Sequence, residues 1–228
     1  MIYGILPVGG KGTRLALPFP KELLPQKGFD HYNPVINHIV QKMLIAGADM
    51  IYFVHGGEYK EGIVDFYSDP RYKHLVQRTP GFATVLRDFH ESVGVTLTAK
   101  DKILFGMPDT IFEGNPFVEM LKNPGIVCGL FSTDPYTKVD RLSKENEQLF
   151  QVKSAKNESN QNWFWGVLKF DGSSLNDMVV QRVFDLTTEV GLIISAYPKT
   201  YVRCESYLDL GTWLNYNRYL ALYGGDND

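Results

Sequence analysis

The chain has little cysteine: Cys128 and Cys204 are alone among 228 residues. They form no CxxC pair and no disulfide framework, and Cys128, inside the apolar run Ile126-Val127-Cys128, reads as a small buried hydrophobe. The five histidines show neither HxxxH nor HExxH spacing, which excludes a zinc centre built on those motifs. A basic excess is missing too. The formal net charge of −3 leaves no footprint for nucleic acid or an anionic membrane surface. No apolar stretch approaches the ~18 residues needed to span a bilayer. The N-terminus runs straight into a strand-like segment, without a basic leader or a small-residue cleavage site, so the expectation is a soluble cytoplasmic protein. Low-complexity segments, repeats and Pro/Ser linkers are absent, and the length suits one domain over residues 1–228.

What is present is an ordinary globular composition, 44% hydrophobic and 21% charged, arranged as alternating strand and helix patterns. Ile2 to Val8 is a short apolar run ended by Gly9-Gly10, suited to a strand buried on both faces. Asn33-Pro34 predicts a helix start, with Asn33 as cap and Pro34 at the first position; Gly47 is its stop. Met50–Val54 reads as a strand, Glu58–Tyr67 and Phe82–Val93 as helices, and Lys102–Met107 as a buried strand ending at Pro108-Asp109. In the second half Val127–Phe131, Leu149–Val152, Trp163–Phe170 and Leu192–Tyr197 read as strands. Helices are expected over Ser174–Leu186 and Thr212–Tyr223, a loop over Ser154–Asn162, and a frayed end over Gly224–Asp228. The fold class expected is α/β: a three-layer, Rossmann-like arrangement on a mixed, mostly parallel central sheet, with its ligand site beyond the C-terminal ends of the strands.

The strongest chemical signal is Gly9-Gly10-Lys11-Gly12-Thr13-Arg14-Leu15 directly after the first strand, followed by Pro20-Lys21-Glu22-Leu23-Leu24-Pro25. Small residues in such a turn leave backbone N–H groups uncovered, so a phosphate chain can lie against Gly9, Gly10, Gly12 and Thr13. Arg14 and Lys21 would supply the cationic charge. Read alone, the same residues make a tight glycine turn with two surface cations. Neither well-known phosphate motif fits. A dinucleotide fingerprint needs glycine at Leu15, and a P-loop needs its first glycine at Ile5.

The run GGKGTRL with PKELLP resembles the sugar-1-phosphate nucleotidyltransferases, and LPVGGKGTR with PKELLP looks especially like the bacterial uridylyl- and thymidylyltransferases acting on glucose 1-phosphate. The likeness extends to Gly106-Met107-Pro108-Asp109 and to Tyr207-Leu208-Asp209-Leu210-Gly211-Thr212, so that four blocks in family order span nearly the whole chain. The resemblance implies transfer of a nucleotide from a nucleoside triphosphate to a sugar 1-phosphate, with release of pyrophosphate. It also implies Mg²⁺ on Asp109 and Asp209, Arg14 and Lys21 in catalysis, and room for a homo-oligomer. Each aspartate ends an apolar run and could stand on the sheet's rim, where two carboxylates suit Mg²⁺ completed by phosphate oxygens. As purely structural residues they would be a turn aspartate and a charge before the last helix, which Thr212 could cap.

Pro80-Gly81-Phe82-Ala83-Thr84 is similar to the family's base loop, with Thr84 where glutamine is common, so a pyrimidine (UTP or dTTP) is expected. Lys156 matches the lysine that holds the sugar phosphate; Lys153 competes for that role. Trp163, Trp165 and Gly166 fall where the family lines its sugar pocket, though aromatics on a strand are more often core. Arg14 and Lys21 are closer in sequence than in the glucose-specific enzymes, as in cytidylyltransferases acting on polyol or other alcohol phosphates. That reading stays open, as does a non-catalytic nucleotide- or sugar-binding module.

Overall fold

Strand β1 (Ile2–Pro7) divides the core, because its side chains alternate between two covered faces. Tyr3 and Ile5 belong to one buried cluster, Leu6 and the following Val8 to the other. The computed structural model describes residues 1–228 apart from 11, 58–59, 79–80, 94–96, 133–140, 146–147, 153–162, 187–198 and 224–228. β1 pairs in parallel with β2 (Met50–His55) on one side and β4 (Lys102–Gly106) on the other, and β2 continues to β3 (Tyr72–Val76). Beyond β4 lies β9 (Trp163–Asp171), antiparallel both to β4 and to β6 (Ile126–Ser132), and β10 (Lys199–Cys204) runs parallel to β6. The order is β3-β2-β1-β4-β9-β6-β10, and the hairpin β7 (Arg141–Glu145) and β8 (Gln148–Val152) joins at β9.

Helices cover both faces. Leu86 and Phe89 of α3 (Phe82–Val93), Leu175 and Met178 of α5 (Gly172–Val180), and Phe184 of α6 (Val183–Leu186) pack in the cluster that holds Ile5, Ile103 and Phe105. Ile39 and Met43 of α1 (Val35–Ile45), Ile63 of α2 (Glu61–Phe66) and Phe117 of α4 (Pro116–Met120) join Leu6, Phe53 and Leu104. The central strands are therefore nearly all apolar, and the expected α/β fold on a mixed, mostly parallel sheet is the one observed.

Several elements differ from expectation for local reasons. Helix α1 begins at Val35, with Pro34 extended at the cap position and bridged to Pro25. The Asn33 carboxamide takes no part in capping and accepts instead from the Asn37 side chain at 2.7 Å. The segment Ser174–Leu186 is two helices, broken at Arg182, whose φ is 55°. Strand β3 escapes the sequence pattern because Lys73 and His74 interrupt its apolar residues, and β7 because it carries Arg141, Lys144 and Glu145. The expected strand Leu192–Tyr197, the loop Ser154–Asn162 and the end Gly224–Asp228 lie outside the described residues. Among those described, no helix is long and apolar enough to cross a membrane.

Three further elements build the rim above β1 and β4. β5 (Thr110–Phe112) pairs antiparallel with β11 (Tyr207–Asp209), and α7 (Trp213–Leu222) follows. A third buried cluster of Leu15, Leu24, Val35, Ile111, Leu210, Tyr216 and Tyr219 welds this ribbon to the loops after β1.

Candidate active site

The sheet's strand order turns back at β1 and β4, and their C-terminal ends release the two loops that carry the candidate residues. From β1 comes the glycine turn, closed by the Leu15 amide donating to the Gly12 carbonyl at 3.0 Å. Gly10 is exposed, and a Cβ there would meet open space, so its surface is free to face a ligand. Gly12 is different. Its φ of 62° is left-handed, a conformation that costs other residues strain, and a Cβ there would lie 3.6 Å from the Lys21 side chain. Thr13 and Arg14 are exposed beside it. The C-terminal helix anchors these loops: Thr212 caps α7 by accepting from the Asn215 amide at 3.3 Å, Trp213 Nε1 donates to the Leu15 carbonyl at 3.0 Å, and the Tyr216 hydroxyl donates to the Pro25 carbonyl at 2.8 Å.

Asp109 follows β4, and the β5–β11 ribbon brings Asp209 to it. The pairing sets Asp209 opposite Thr110, and the Leu210 amide donates to the Asp109 carbonyl at 2.8 Å. The two carboxylates converge at Gly211: the position a Cβ would take there is 2.8 Å from Asp209 Oδ1, 3.3 Å from Arg14 Nη2 and 3.4 Å from Asp109 Oδ2. Four of the residues singled out from the sequence thus surround one point, since Lys21 Nζ is ion-paired with the same Asp109 Oδ2. Lys21 sits on a one-turn 3-10 helix, Lys21–Leu23.

The electrostatics follow from this crowding. Burial raises the Asp209 pKa, and the facing Asp109 carboxylate raises it further against the Gly211 amide, Lys21 and Arg14. Burial works to lower the Lys21 pKa, but Asp109, with Glu22 and Asp209 behind it, outweighs burial and holds the ammonium charged. Among the described residues no group of three or more His, Cys, Asp or Glu side chains gathers to hold a metal. Two converging carboxylates nevertheless fit Mg²⁺, which commonly takes one or two carboxylates and completes its shell with water and substrate phosphate.

The loop after β3 supplies a second group. Gly81 has φ of 139°, and Thr84 is buried, its hydroxyl donating to the Gly81 carbonyl at 2.8 Å. Gln77, which the sequence reading passes over, donates through Nε2 to Gly81 O at 2.7 Å and to Thr84 Oγ1 at 3.0 Å. Its Oε1 lies 2.8 Å from where a Cβ on Gly9 would be, so the loop after β3 and the glycine turn meet at this amide. Recognising β3 would have exposed Gln77 as a polar residue at a strand's C-terminal end. Trp165 is core, 4% exposed and beside Phe105, rather than part of a pocket wall. Cys128 is fully buried, as expected. Lys11, Lys153 and Lys156 lie outside the described residues.

No family model matches the chain, and no curated protein matches it in sequence. Solved structures do. The chain is similar to a Bacillus anthracis protein assigned as a glucose-1-phosphate thymidylyltransferase, solved in complex with a sucrose, at a TM-score of 0.80 and 23% identity; the match covers 100% of this chain and 97% of that one. It is also similar to the UTP-bound UGPase of Acinetobacter baumannii, at a TM-score of 0.73 and 16% identity over 98% of this chain and 94% of that one. What these identities establish is the fold, an α/β nucleotidyltransferase-like fold over the whole chain.

Proposed function

We propose that the protein is a nucleotidyltransferase that joins a nucleoside triphosphate to a sugar 1-phosphate, giving a nucleoside diphosphate sugar and pyrophosphate. The observation that carries this reading is the meeting of Arg14, Lys21, Asp109 and Asp209 on the sheet rim beside the glycine turn. The names of the two structural neighbours describe the same kind of reaction and support it. In the reaction an acceptor phosphate oxygen bonds to the α-phosphorus as the α–β phosphoanhydride P–O bond breaks, and pyrophosphate leaves with those electrons.

Such a transfer needs little acid–base help; positioning and neutralisation of charge dominate. Backbone amides around Gly10 and Gly12 would cradle the triphosphate, Arg14 would neutralise the departing pyrophosphate, and Lys21 would hold the α-phosphate and the acceptor phosphate together. Asp109 and Asp209 would hold Mg²⁺, whose chemistry is to draw negative charge from the phosphate oxygens. Because the protein offers it two carboxylates, the ion would come with the triphosphate rather than reside in the free protein.

Base choice falls to Gln77 more than to Thr84, whose hydroxyl is engaged inside the loop. The Gln77 amide nitrogen is spent on Gly81 and Thr84, so its Oε1 is the atom offered to the base, an acceptor that suits the imide N–H of uracil or thymine. Lys156 is proposed to hold the acceptor phosphate. The test is pyrophosphate release from ATP, GTP, CTP, UTP and dTTP, each against a small set of sugar 1-phosphates and one polyol phosphate. UTP or dTTP with a sugar 1-phosphate should be fastest. Turnover confined to CTP with the polyol phosphate would move the assignment to that class of cytidylyltransferase, and triphosphate binding without turnover would make the protein a binding module.

A further inference from the structure

Directly behind Lys21 lies a second ion pair that the reaction does not use. Lys60 Nζ sits 2.7 Å from Glu22 Oε2, and both side chains are 1% exposed. Glu22 is the next residue to Lys21 on the same 3-10 turn, and Lys60 immediately precedes α2, which packs on that turn where Gly62 meets Leu23. The turn is held without the pair, by the Leu23 amide on the Pro20 carbonyl at 2.9 Å and the Leu24 amide on the Lys21 carbonyl at 3.0 Å. Nor is burying two charges an economical route to stability, since a well-packed apolar pair commonly does as well.

The charges alternate in kind from one pair to the other. Lys21 is under the influence of Glu22 as well as Asp109, and Lys60 under that of Asp109 as well as Glu22. Each member of the inner pair is thus a competitor for one member of the outer pair. We propose that Glu22 and Lys60 are positioning residues: by neutralising each other in the interior they keep Lys21 committed to Asp109 and to the phosphates. Left alone, Glu22 draws Lys21 inward. Left alone, Lys60 is drawn to Asp109 and displaces Lys21.

The activity readout rests on the nucleotidyltransferase reading; the structural readout does not. Lys60→Met, Glu22→Gln, the double variant and Lys60→Arg are compared by crystal structure without ligand and by kcat and KM for pyrophosphate release. Each single charge deletion should lower kcat roughly tenfold, within the range shown by coupled neighbouring groups, with a smaller effect on the triphosphate KM. The structures should show Lys21 on Glu22 in Lys60→Met, and Lys60 on Asp109 in Glu22→Gln. The double variant, with no buried charge, should return Lys21 to Asp109 and recover most of kcat, and Lys60→Arg should stay close to wild type. Single variants that keep both Lys21 on Asp109 and normal kcat overturn the proposal. So does a folded double variant no faster than the singles. If the singles do not fold, a double variant with Lys21 away from Asp109 overturns it as well. A wild type inactive on every triphosphate fails the reaction reading instead, while the crystal structures still decide where Lys21 goes.

Discussion

Strand β4 has a lysine–aspartate cluster at each end, and the two are built to opposite purposes. At its N-terminal end one carboxylate serves two ammonium groups: Asp171 Oδ1 meets Lys102 Nζ at 2.7 Å and Lys169 Nζ at 2.5 Å, while Oδ2 accepts from the Gly125 amide at 2.6 Å. Lys169, with a wholly buried side chain, also donates to the carbonyls of Asn123 at 2.7 Å and Gly125 at 3.1 Å. That cluster is saturated. At the C-terminal end two carboxylates, Asp109 and Asp209, converge on one paired ammonium and an exposed Arg14, the set proposed above to take a cation and phosphate. A closed set of partners holds a fold together; an open one of mismatched charge is held together by the fold.

The sharpest way to break this contrast is to remove one carboxylate from each end. Asp171→Asn leaves the buried Lys169 ammonium, and the part-exposed Lys102 beside it, without their counter-charge and should cost on the order of 3 kcal/mol of stability. Turnover per folded molecule should stay near normal. Asp109→Asn should do the reverse, lowering kcat roughly 10²-fold or more, the scale of one lost transition-state electrostatic contact. Its melting temperature should hold within a few degrees, because Asp209 still faces Lys21 and is freed from its neighbour's repulsion. Denaturant melts and pyrophosphate release on both variants decide the matter, and matching behaviour at the two ends would dissolve the distinction.

Gly10→Ala tests the phosphate turn next. A Cβ at Gly10 meets no protein atom, so stability should be unchanged while triphosphate KM rises severalfold. Gly12→Ala is the less clean probe, because its left-handed φ adds strain to any effect on ligand.

Asp209→Asn sharpens the comparison through pH. Its folded pKa is raised, so its contribution to stability is present below the unfolded carboxylate value and is lost as pH rises through the folded one. At neutral pH the charge is a burden on the free protein. The variant should therefore melt higher than wild type at pH 7 and equally at low pH, with turnover reduced as in Asp109→Asn. Asp171, depressed in the fold by its two lysines and Gly125 against the opposing effect of burial, has the opposite sign: its support is lost as pH falls.

The smallest effect is expected at His38, which ties α1 to β5 through Nε2 and the Phe112 carbonyl at 2.9 Å. Burial, with Lys42 nearby, lowers its pKa from 6.5 to about 4. Stability contributed by the neutral ring is present above pH 6.5 and is lost as pH falls towards 4. Melting curves across that window should flatten in His38→Gln, which keeps a donor for the carbonyl.

Much of this site was legible because its chemistry is carried by short contiguous blocks. The glycine turn, Arg14, Lys21, Asp109 and Asp209 can each be singled out in the chain. Gln77 could not, because β3 shows no clean alternation, and Lys60 could not, because nothing near it in sequence indicates that its partner is Glu22, 38 positions away. Trp165 illustrates the converse: an aromatic beside a candidate pocket in sequence is spent on the core.

Local sequence determined what local physics can determine. Apolar runs without charge became strands buried on both faces, and helical spacing became α1 and α3, because those patterns have few other ways to leave water. The tertiary structure alone decided which carboxylates meet and which lysine serves which acid. The β5–β11 ribbon joins Asp109 to Asp209 across a hundred residues, and α2 lays Lys60 under the turn that carries Lys21. Charge acts through distance and burial, and a sequence states neither until the core has closed around it.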